Sequence, residues 1–210
     1  MKDSLDLGGA YEATLRRIRA QDGEKARLGI AVLMWISHSR RPMQVDEICH
    51  AIAIRIGSDD LNRDDIPAIS TLLDCCQGLV TIDKGALTVR LIHFTLKEYL
   101  CTQSELFERA DSTMAETCLT YLNFQHVKDF SAGPSSSKQP STTFLEYSSL
   151  YWGTHMRIEP SDLAKTFALE FLDRFETHIS ANFLWQLIGR GLTMESTLSR
   201  KSFSALHCIS

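Results

Sequence analysis

The fold is decided at residues 87–100, which read Leu-Thr-Val-Arg-Leu-Ile-His-Phe-Thr-Leu-Lys-Glu-Tyr-Leu. In the first part of this stretch apolar residues alternate with polar ones, which predicts a short strand. In the second part they recur at helical spacing, which predicts a helix. The strand positions are Leu87, Val89 and Leu91, and the helix positions are Phe94, Leu96, Tyr99 and Leu100. His93 therefore lies where a strand ends and a helix begins, a place suited to binding an anion.

The residues upstream predict helices that lead to this junction. Two helices are expected in the first 38 residues, with Asp22 as the N-cap of the second. That second helix is apolar on nearly every face over Ile30–Ile36, so we expect it to be buried centrally and to end before Pro42. Further helices are predicted at Val45–Ile56 and Asp64–Gln77, and Gly78 is the expected stop.

A β-hairpin is predicted between the last of these helices and His93. Two apolar segments, 79–82 and 86–91, flank the turn residues Asp83-Lys84-Gly85. Three helices followed by a hairpin are the order of elements in a winged helix, in which the hairpin is the wing. Downstream, helical patterns occupy 110–124, 144–157, 163–175 and 181–188, and the composition of 129–143 is that of a disordered insert.

Composition restricts the class of protein further. The chain of 210 residues is 44% hydrophobic and 23% charged, which is ordinary for a globular protein. Its net charge of −4 offers no general attraction to nucleic acid or to anionic membranes, so neither is an expected partner. No apolar run approaches the roughly 20 residues that a membrane-spanning helix requires. The six cysteines lack the spacing of a disulfide framework, which predicts reduced thiols in an intracellular, cytoplasmic protein.

Several segments resemble, in order, the region that follows the ATPase core in fungal NACHT–ankyrin proteins, which are STAND-type signalling ATPases. The winged helix of this region is of the type named after a GPI inositol deacylase. The strongest segment is 89–100, which is similar to a family stretch of the form His-x-[Ser/Thr]-x-x-Glu-[Tyr/Phe]. The other segments are Tyr11-x-x-x-Leu15-x-x-Ile18, Trp35-Ile36, Arg41-Pro42, Val45-Asp46-Glu47, 115–122 and Tyr147-x-x-x-Tyr151-Trp152-x-x-His155.

Considered without the resemblance, His93 is as readily a structural histidine that satisfies the helix N-terminus or a polar contact in the core. The resemblance implies a further role. In the family the corresponding histidine contacts the diphosphate of bound ADP and holds the resting state of the switch. By the same resemblance, Phe203–Cys208 is similar to the opening of an ankyrin repeat, although Ser204 and Ala205 replace the usual Thr and Pro. Thr95 and Glu98 are expected to cap and position the helix rather than to touch a ligand.

The sequence contains no Gly-x-x-x-x-Gly-Lys-[Ser/Thr] loop, which is the phosphate cradle of such ATPases. We therefore expect no catalytic residue, no metal site and no cofactor in this chain. ADP or ATP would be bound only if the chain were joined to an NTPase core. The expected partners are that core and the ankyrin repeats of a parent protein, or other proteins. The chain is interpreted as the regulatory middle of a larger switch, as a fragment or a degenerate stand-alone product.

Three other readings compete with this one. A stand-alone DNA-binding winged helix is the main alternative, but its recognition helix would carry Asp64, Asp65 and Asp74, which repel phosphates. A hydrolase that uses a cysteine and a histidine is the second alternative. A zinc site is not expected, because Cys49-His50 and Cys75-Cys76 lack the spacing of zinc ligands. The third alternative is that the aromatic stripe 147–155 forms a partner surface, but its spacing favours a packed core face. Cys76 and Cys118 lie on apolar stripes and are predicted to be core residues.

The sequence thus predicts a mainly α protein. Its winged-helix domain with a β-hairpin wing is followed by an α-helical domain and the start of an ankyrin repeat. The expected boundaries are a helical linker at 1–21, the winged helix at 22–103, the helical domain at 104–198 and the repeat start at 199–210.

Overall fold

The computed structural model describes residues 3–103, 105–129 and 143–191. Most of the predicted insert at 129–143 and all of the predicted ankyrin start at 199–210 lie outside these residues. The described elements, in chain order, are α1 Asp3–Arg19, α2 Gly23–His38, β1 Met43–Gln44, α3 Val45–Ala53, α4 Ile69–Cys75, β2 Val80–Asp83, β3 Thr88–Leu91, α5 Phe94–Cys101, α6 Ala110–Leu122, α7 Gln125–Lys128, α8 Leu145–Ile158, α9 Asp162–Asp173 and α10 Ser180–Gly191.

The described residues divide into two compact units. The first comprises those within 3–53 and 62–110, and the second those within 54–61 and 111–191. The first unit contains α1 to α5 and all three described strands, whereas the second is built from α6 to α10. The domain boundaries expected at 21, 103 and 198 stay predictions.

The first unit is a winged helix with α2 at its centre. As its apolar run predicts, α2 packs against α1, α3, α4, α5 and β3. Leu33 is fully buried on α2, and Trp35 is only 2% exposed. The N-cap position is Asp22, as predicted, but its side chain makes no capping hydrogen bond. The fully buried residues of this core include Ile18, Leu33, Ile48, Leu72, Leu96 and Leu100.

A glycine permits close contact between α2 and α4. A Cβ built on Gly29 would meet the backbone oxygen of Cys75 at 2.7 Å and Cγ2 of Ile18 at 2.9 Å. Carbon cannot approach a carbonyl oxygen this closely without displacement of the backbone, and such overpacking costs about 1–3 kcal/mol. The absence of a side chain at this position thus allows three helices of the core to meet.

The sheet has three antiparallel strands in the order β1-β3-β2. The wing was predicted correctly as a hairpin, with Asp83 paired to Thr88 at its end. The strand prediction for Leu87 was wrong. Leu87 lies in the turn with a φ of +52°, and its side chain is 62% exposed. Its carbonyl accepts a hydrogen bond from the Val45 amide at 3.0 Å, which ties the turn to the start of α3.

Two predicted helices are shorter than expected. The helix predicted at Val45–Ile56 ends at Ala53, and Gly57 beyond it has a φ of +79°. The helix predicted at Asp64–Gln77 begins only at Ile69, because Pro67 disfavours helical backbone at Ile66, which has a ψ of 111°. A 3-10 turn at Arg63–Asp65 precedes that break. The short elements β1 and α7 were not predicted.

The second unit is an all-helical assembly around buried aromatic side chains. The helices predicted at 110–124, 144–157, 163–175 and 181–188 correspond to α6, α8, α9 and α10. The rings of Tyr121 and Phe144 meet edge to face at 5.5 Å, and those of Phe144 and Tyr147 stack at 5.8 Å. Burial of each such side chain contributes about 1.5–3 kcal/mol. The aromatic stripe on α8 is therefore mainly core, as its spacing favoured.

Candidate functional site

His93 is the N-cap of α5, at the strand-to-helix junction that the sequence predicted. Its backbone is extended, with φ −149° and ψ 147°, and its Nδ1 accepts a hydrogen bond from the Thr95 amide at 3.3 Å. The side chain is exposed. An imidazole rarely serves as a cap, because Ser, Thr, Asp and Asn are preferred there. The junction was predictable from the change of periodicity, and a histidine that satisfies the helix N-terminus was one of the two interpretations of His93.

Two hydroxyl groups hold the imidazole in place. The Thr95 hydroxyl lies 2.7 Å from Nδ1 of His93, and the Tyr11 hydroxyl lies 2.9 Å from Oγ1 of Thr95. These contacts are all satisfied when Tyr11 donates to Thr95 and Thr95 donates to His93. Nδ1 is then an acceptor, so the neutral ring carries its proton on Nε2. Among the described residues Nε2 has no hydrogen-bond partner, and it is therefore a donor available to a ligand.

Tyr11 was not predicted to take part in this site. It lies on α1, eighty-four positions before Thr95, and its place in a weak amphipathic pattern indicated only packing. A second contact joins the same helices, since the Tyr99 hydroxyl donates to Glu12 at 3.3 Å. Thr95 was expected to cap the helix, but the cap is His93, and the Thr95 side chain contacts the imidazole of that cap. Glu98 is exposed on α5 and makes no hydrogen bond within the described structure.

His93 lines a groove in the winged-helix unit with a volume of about 740 Å³. We call it the basic groove, because five of its lining residues are basic and none is acidic. Its lining residues come from α2 and the link that follows it, from β2 and β3, and from the link to α5 and the first residues of α5. The lining residues are Ile36, Ser39, Arg40, Arg41, Pro42, Thr81, Val89, Arg90, Leu91, Ile92, His93, Phe94 and Lys97.

Carboxylates next to the basic groove already pair with two of these cations. The guanidinium of Arg41 forms two hydrogen bonds with the buried Glu47 carboxylate, at 2.6 and 2.7 Å. The Arg90 guanidinium pairs with Asp83 at 2.5 Å, and the pKa of Asp83 is lowered by backbone amides of the turn and by Arg90. Arg41 therefore has mainly a structural role, while Arg90 remains largely exposed at 59%.

Phe94 is also part of this site, contrary to the sequence prediction. It was expected in the buried stripe of α5, but its side chain is 70% exposed and its ring lies 4.6 Å from that of His93. The stripe that packs into the core consists of Leu96 and Leu100, both fully buried. Phe94 lies about 200° from Leu96 around the helix axis, so it points away from the core. Ile92, just before the helix, is 49% exposed.

α4, which follows α2 and α3 as the third helix of the winged helix, has no basic side chain to contact DNA. α4 reads Ile-Ser-Thr-Leu-Leu-Asp-Cys over Ile69–Cys75, and Asp74 is its only charged residue. The prediction that Asp64 and Asp65 lie on this helix was wrong, since they belong to the preceding 3-10 turn. Phosphate contacts supply most of the affinity of DNA-binding proteins, and they require basic side chains. The usual recognition helix is thus poorly suited to DNA.

The buried thiols are not activated. Burial raises the pKa of Cys76 to about 12 and that of Cys49 to about 11, and it also raises the pKa of Cys118. A thiol with such a pKa is almost wholly protonated at neutral pH and is a poor nucleophile. Cys76 and Cys118 are fully buried, as predicted. Across the described ranges, no three His, Cys, Asp or Glu side chains group together as metal ligands would.

The comparisons with known proteins agree with the fold. Residues 16–115 match the family model described as GPI inositol-deacylase, winged helix domain. This range includes α2 to α5, the sheet and the basic groove. No curated protein and no solved structure matches the chain. A winged helix is not in itself a catalytic fold. Within the described residues, no helix has the length and apolar character needed to cross a membrane.

Proposed function

We propose that this chain is a non-catalytic regulatory and interaction segment of a NACHT-type (STAND) signalling ATPase. In the intact switch, the winged helix would stabilise the ADP-bound resting state and link the NTPase core to an ankyrin-repeat sensor. The match of residues 16–115 to a winged-helix family model supports the first half of this proposal. The ordered resemblance of segments between Tyr11 and His155 to fungal NACHT–ankyrin proteins supports the second.

The observation that carries the proposal is the geometry of His93. The Thr95 hydroxyl lies 2.7 Å from Nδ1 of His93 and fixes that side of the ring. The Tyr11 hydroxyl, 2.9 Å from the Thr95 hydroxyl, supports it. Its Nε2–H then faces the exterior of the winged helix as a single oriented donor. A phosphate oxygen presented from an NTPase core is the kind of acceptor that such a donor binds. The Tyr11 contact also makes the N-terminal helix part of the support of this donor.

One hydrogen bond of this kind is enough for a switch but too little for binding on its own. A hydrogen bond to a charged group contributes about 1.5–3 kcal/mol. Alone, this energy corresponds to an affinity weaker than millimolar. Added to the contacts of an NTPase core with its nucleotide, it changes the equilibrium between resting and active states by roughly tenfold or more. His93 therefore acts as a conformational latch rather than as a nucleotide-binding site.

The test uses a full-length protein in which this segment follows a P-loop NTPase core. His93→Ala removes the donor, and we expect ADP to dissociate about tenfold faster and basal signalling to rise. His93→Asn separates ligand contact from folding, because asparagine is a good N-cap but does not reproduce the Nε2 donor. It should release ADP as His93→Ala does while keeping the thermal stability of the native protein.

His50→Ala is the matched control, since it removes a histidine from α3 of the same unit, outside the basic groove. It should leave ADP dissociation unchanged. If both His93 variants release ADP at the native rate and signal at the native basal level, the proposed latch is wrong.

A further inference from the structure

We propose that the basic groove is a docking site for an acidic segment of a partner protein that also carries large apolar side chains. This inference concerns a surface of the winged-helix unit by itself and does not depend on a nucleotide. It follows from three properties of the groove, which are its charge, its apolar surface and the distribution of its cations over several elements.

The charge of the groove is opposite to that of the whole chain. Arg40, Arg90 and Lys97 line it together with Arg41 and His93, and no carboxylate is among its lining residues. The chain nevertheless has a net charge of −4. Glu47 and Asp83 offset part of this charge, and the groove still presents basic side chains on an otherwise acidic protein. Complementary charge of this kind speeds encounter with an acidic partner and orients it.

The groove is also apolar in a way that a phosphate group does not require. Ile36 and Leu91, which are partly exposed, contribute to its lining, as do Phe94 and Ile92 with 70% and 49% exposure. Large apolar side chains beside polar ones on an exposed surface are typical of a protein-binding site. A segment that alternates acidic and apolar residues would pair its carboxylates with the cations and pack its apolar side chains against the apolar part of the groove.

The cations of the groove lie on several elements. Arg40 belongs to the link after α2, Arg90 to β3 and Lys97 to the second turn of α5. Two of the lining arginines, Arg41 and Arg90, already pair with Glu47 and Asp83. A segment with several carboxylates offers a partner to the cations on each of these elements.

The experiment measures fluorescence anisotropy of the whole chain with labelled octapeptides. The probe alternates glutamate with leucine, one control peptide alternates glutamate with serine, and another alternates lysine with leucine. We expect saturable binding of the glutamate–leucine probe only, weakened by added salt. Lys97→Glu and Phe94→Ser should each weaken it by about fivefold or more, through lost charge pairing and lost apolar contact.

Two control variants change the same chemistry elsewhere in the unit. Lys84→Glu reverses an exposed charge at the wing, and Leu7→Ser removes an exposed apolar side chain from α1. Both should leave probe binding unchanged.

The proposal is overturned if the probe does not bind saturably, or if the control variants weaken binding as much as Lys97→Glu and Phe94→Ser do. It is also overturned if the glutamate–serine peptide binds equally well and inorganic pyrophosphate displaces it, because the groove would then be a phosphate site. The latch role of His93 is read out by ADP release in the full-length protein, so failure of one idea leaves the other standing.

Discussion

The two units use histidine in opposite ways. In the winged-helix unit, His93 is exposed, only its Nδ1 is held by the protein, and its Nε2 is available to a ligand. In the helical unit, His155 is fully buried with both ring nitrogens engaged. Its Nδ1 lies 2.5 Å from Asp111 and its Nε2 lies 2.9 Å from the Tyr147 hydroxyl. A histidine whose two nitrogens are both satisfied inside the protein supports the fold, whereas one with a free nitrogen at the surface can serve binding.

A second buried histidine follows the same rule in the helical unit. The Ser180 amide donates to Nδ1 of His178 at 3.1 Å, and Nε2 of His178 lies 3.1 Å from the Leu122 carbonyl. The ring therefore accepts on one side and donates on the other, which is possible only for the neutral form. His178 thus joins the start of α10 to the end of α6.

The largest expected effect is on the buried histidine of α8. His155→Ala removes the buried contacts of the imidazole with the Asp111 carboxylate and the Tyr147 hydroxyl, and each buried polar group that loses a hydrogen bond costs about 1–3 kcal/mol. We expect urea denaturation followed by circular dichroism to show a loss of this order. Arg157→Ala, on the exposed side of the same helix, should change stability by less than about 0.5 kcal/mol. Equal effects of the two substitutions would contradict the structural role of His155.

A smaller effect is expected from pH through His178. Burial, assisted by the positive charge of Lys128, lowers the pKa of His178 below its ordinary value of 6.5. As the pH falls below 6.5, the unfolded chain therefore takes up a proton at this residue before the folded chain does. Binding of protons by the unfolded state reduces the free energy of unfolding, so the helical unit loses stability in this range.

The measurement compares urea midpoints of the native chain and of His178→Gln between about pH 7.5 and about pH 5. The variant has no group that titrates at this site, so its midpoint should fall less with acidification. A variant with the same pH dependence as the native chain would show that His178 is not responsible.

The smallest effect on stability is expected at the exposed site. Thr95→Val keeps the shape of the side chain but removes the hydroxyl that bonds to His93, so it should cost less than about 1.5 kcal/mol. Its effect should appear instead in the nitrogen chemical shifts of His93, measured by NMR. The native chain should show the Nε2–H tautomer, and the variant a mixture of both tautomers.

Thr102→Val, at the other end of α5, is the control, because among the described residues its hydroxyl bonds to the Tyr99 carbonyl and to Gln103 and not to His93. It should leave the His93 spectrum unchanged. A native spectrum that already shows mixed tautomers would mean that Thr95 and Tyr11 do not orient the ring.

The sequence predicted more of the fold than of the site. The helices around Leu33 and Tyr121 were found because apolar residues recur along them over several turns, and the hairpin because a turn separates two apolar segments. The start of α4 was predicted too early. The helical spacing of apolar residues continues through Pro67, although a proline disfavours helical backbone at the residue before it. The strand β1 has only two residues, and it exists because Met43 pairs with Val89. A pairing partner so far away in sequence leaves no local signal.

The order of helices and strands, and the place of His93 at a strand-to-helix junction, follow from the amino-acid sequence. These features depend on neighbouring residues, whose backbone preferences and spacing can be read along the chain. Tertiary structure alone decided that Tyr11 supports His93 and that Arg40, Arg90 and Lys97 share one groove with an exposed Phe94. Those residues belong to separate elements, and only packing around the core of α2 brings their side chains together.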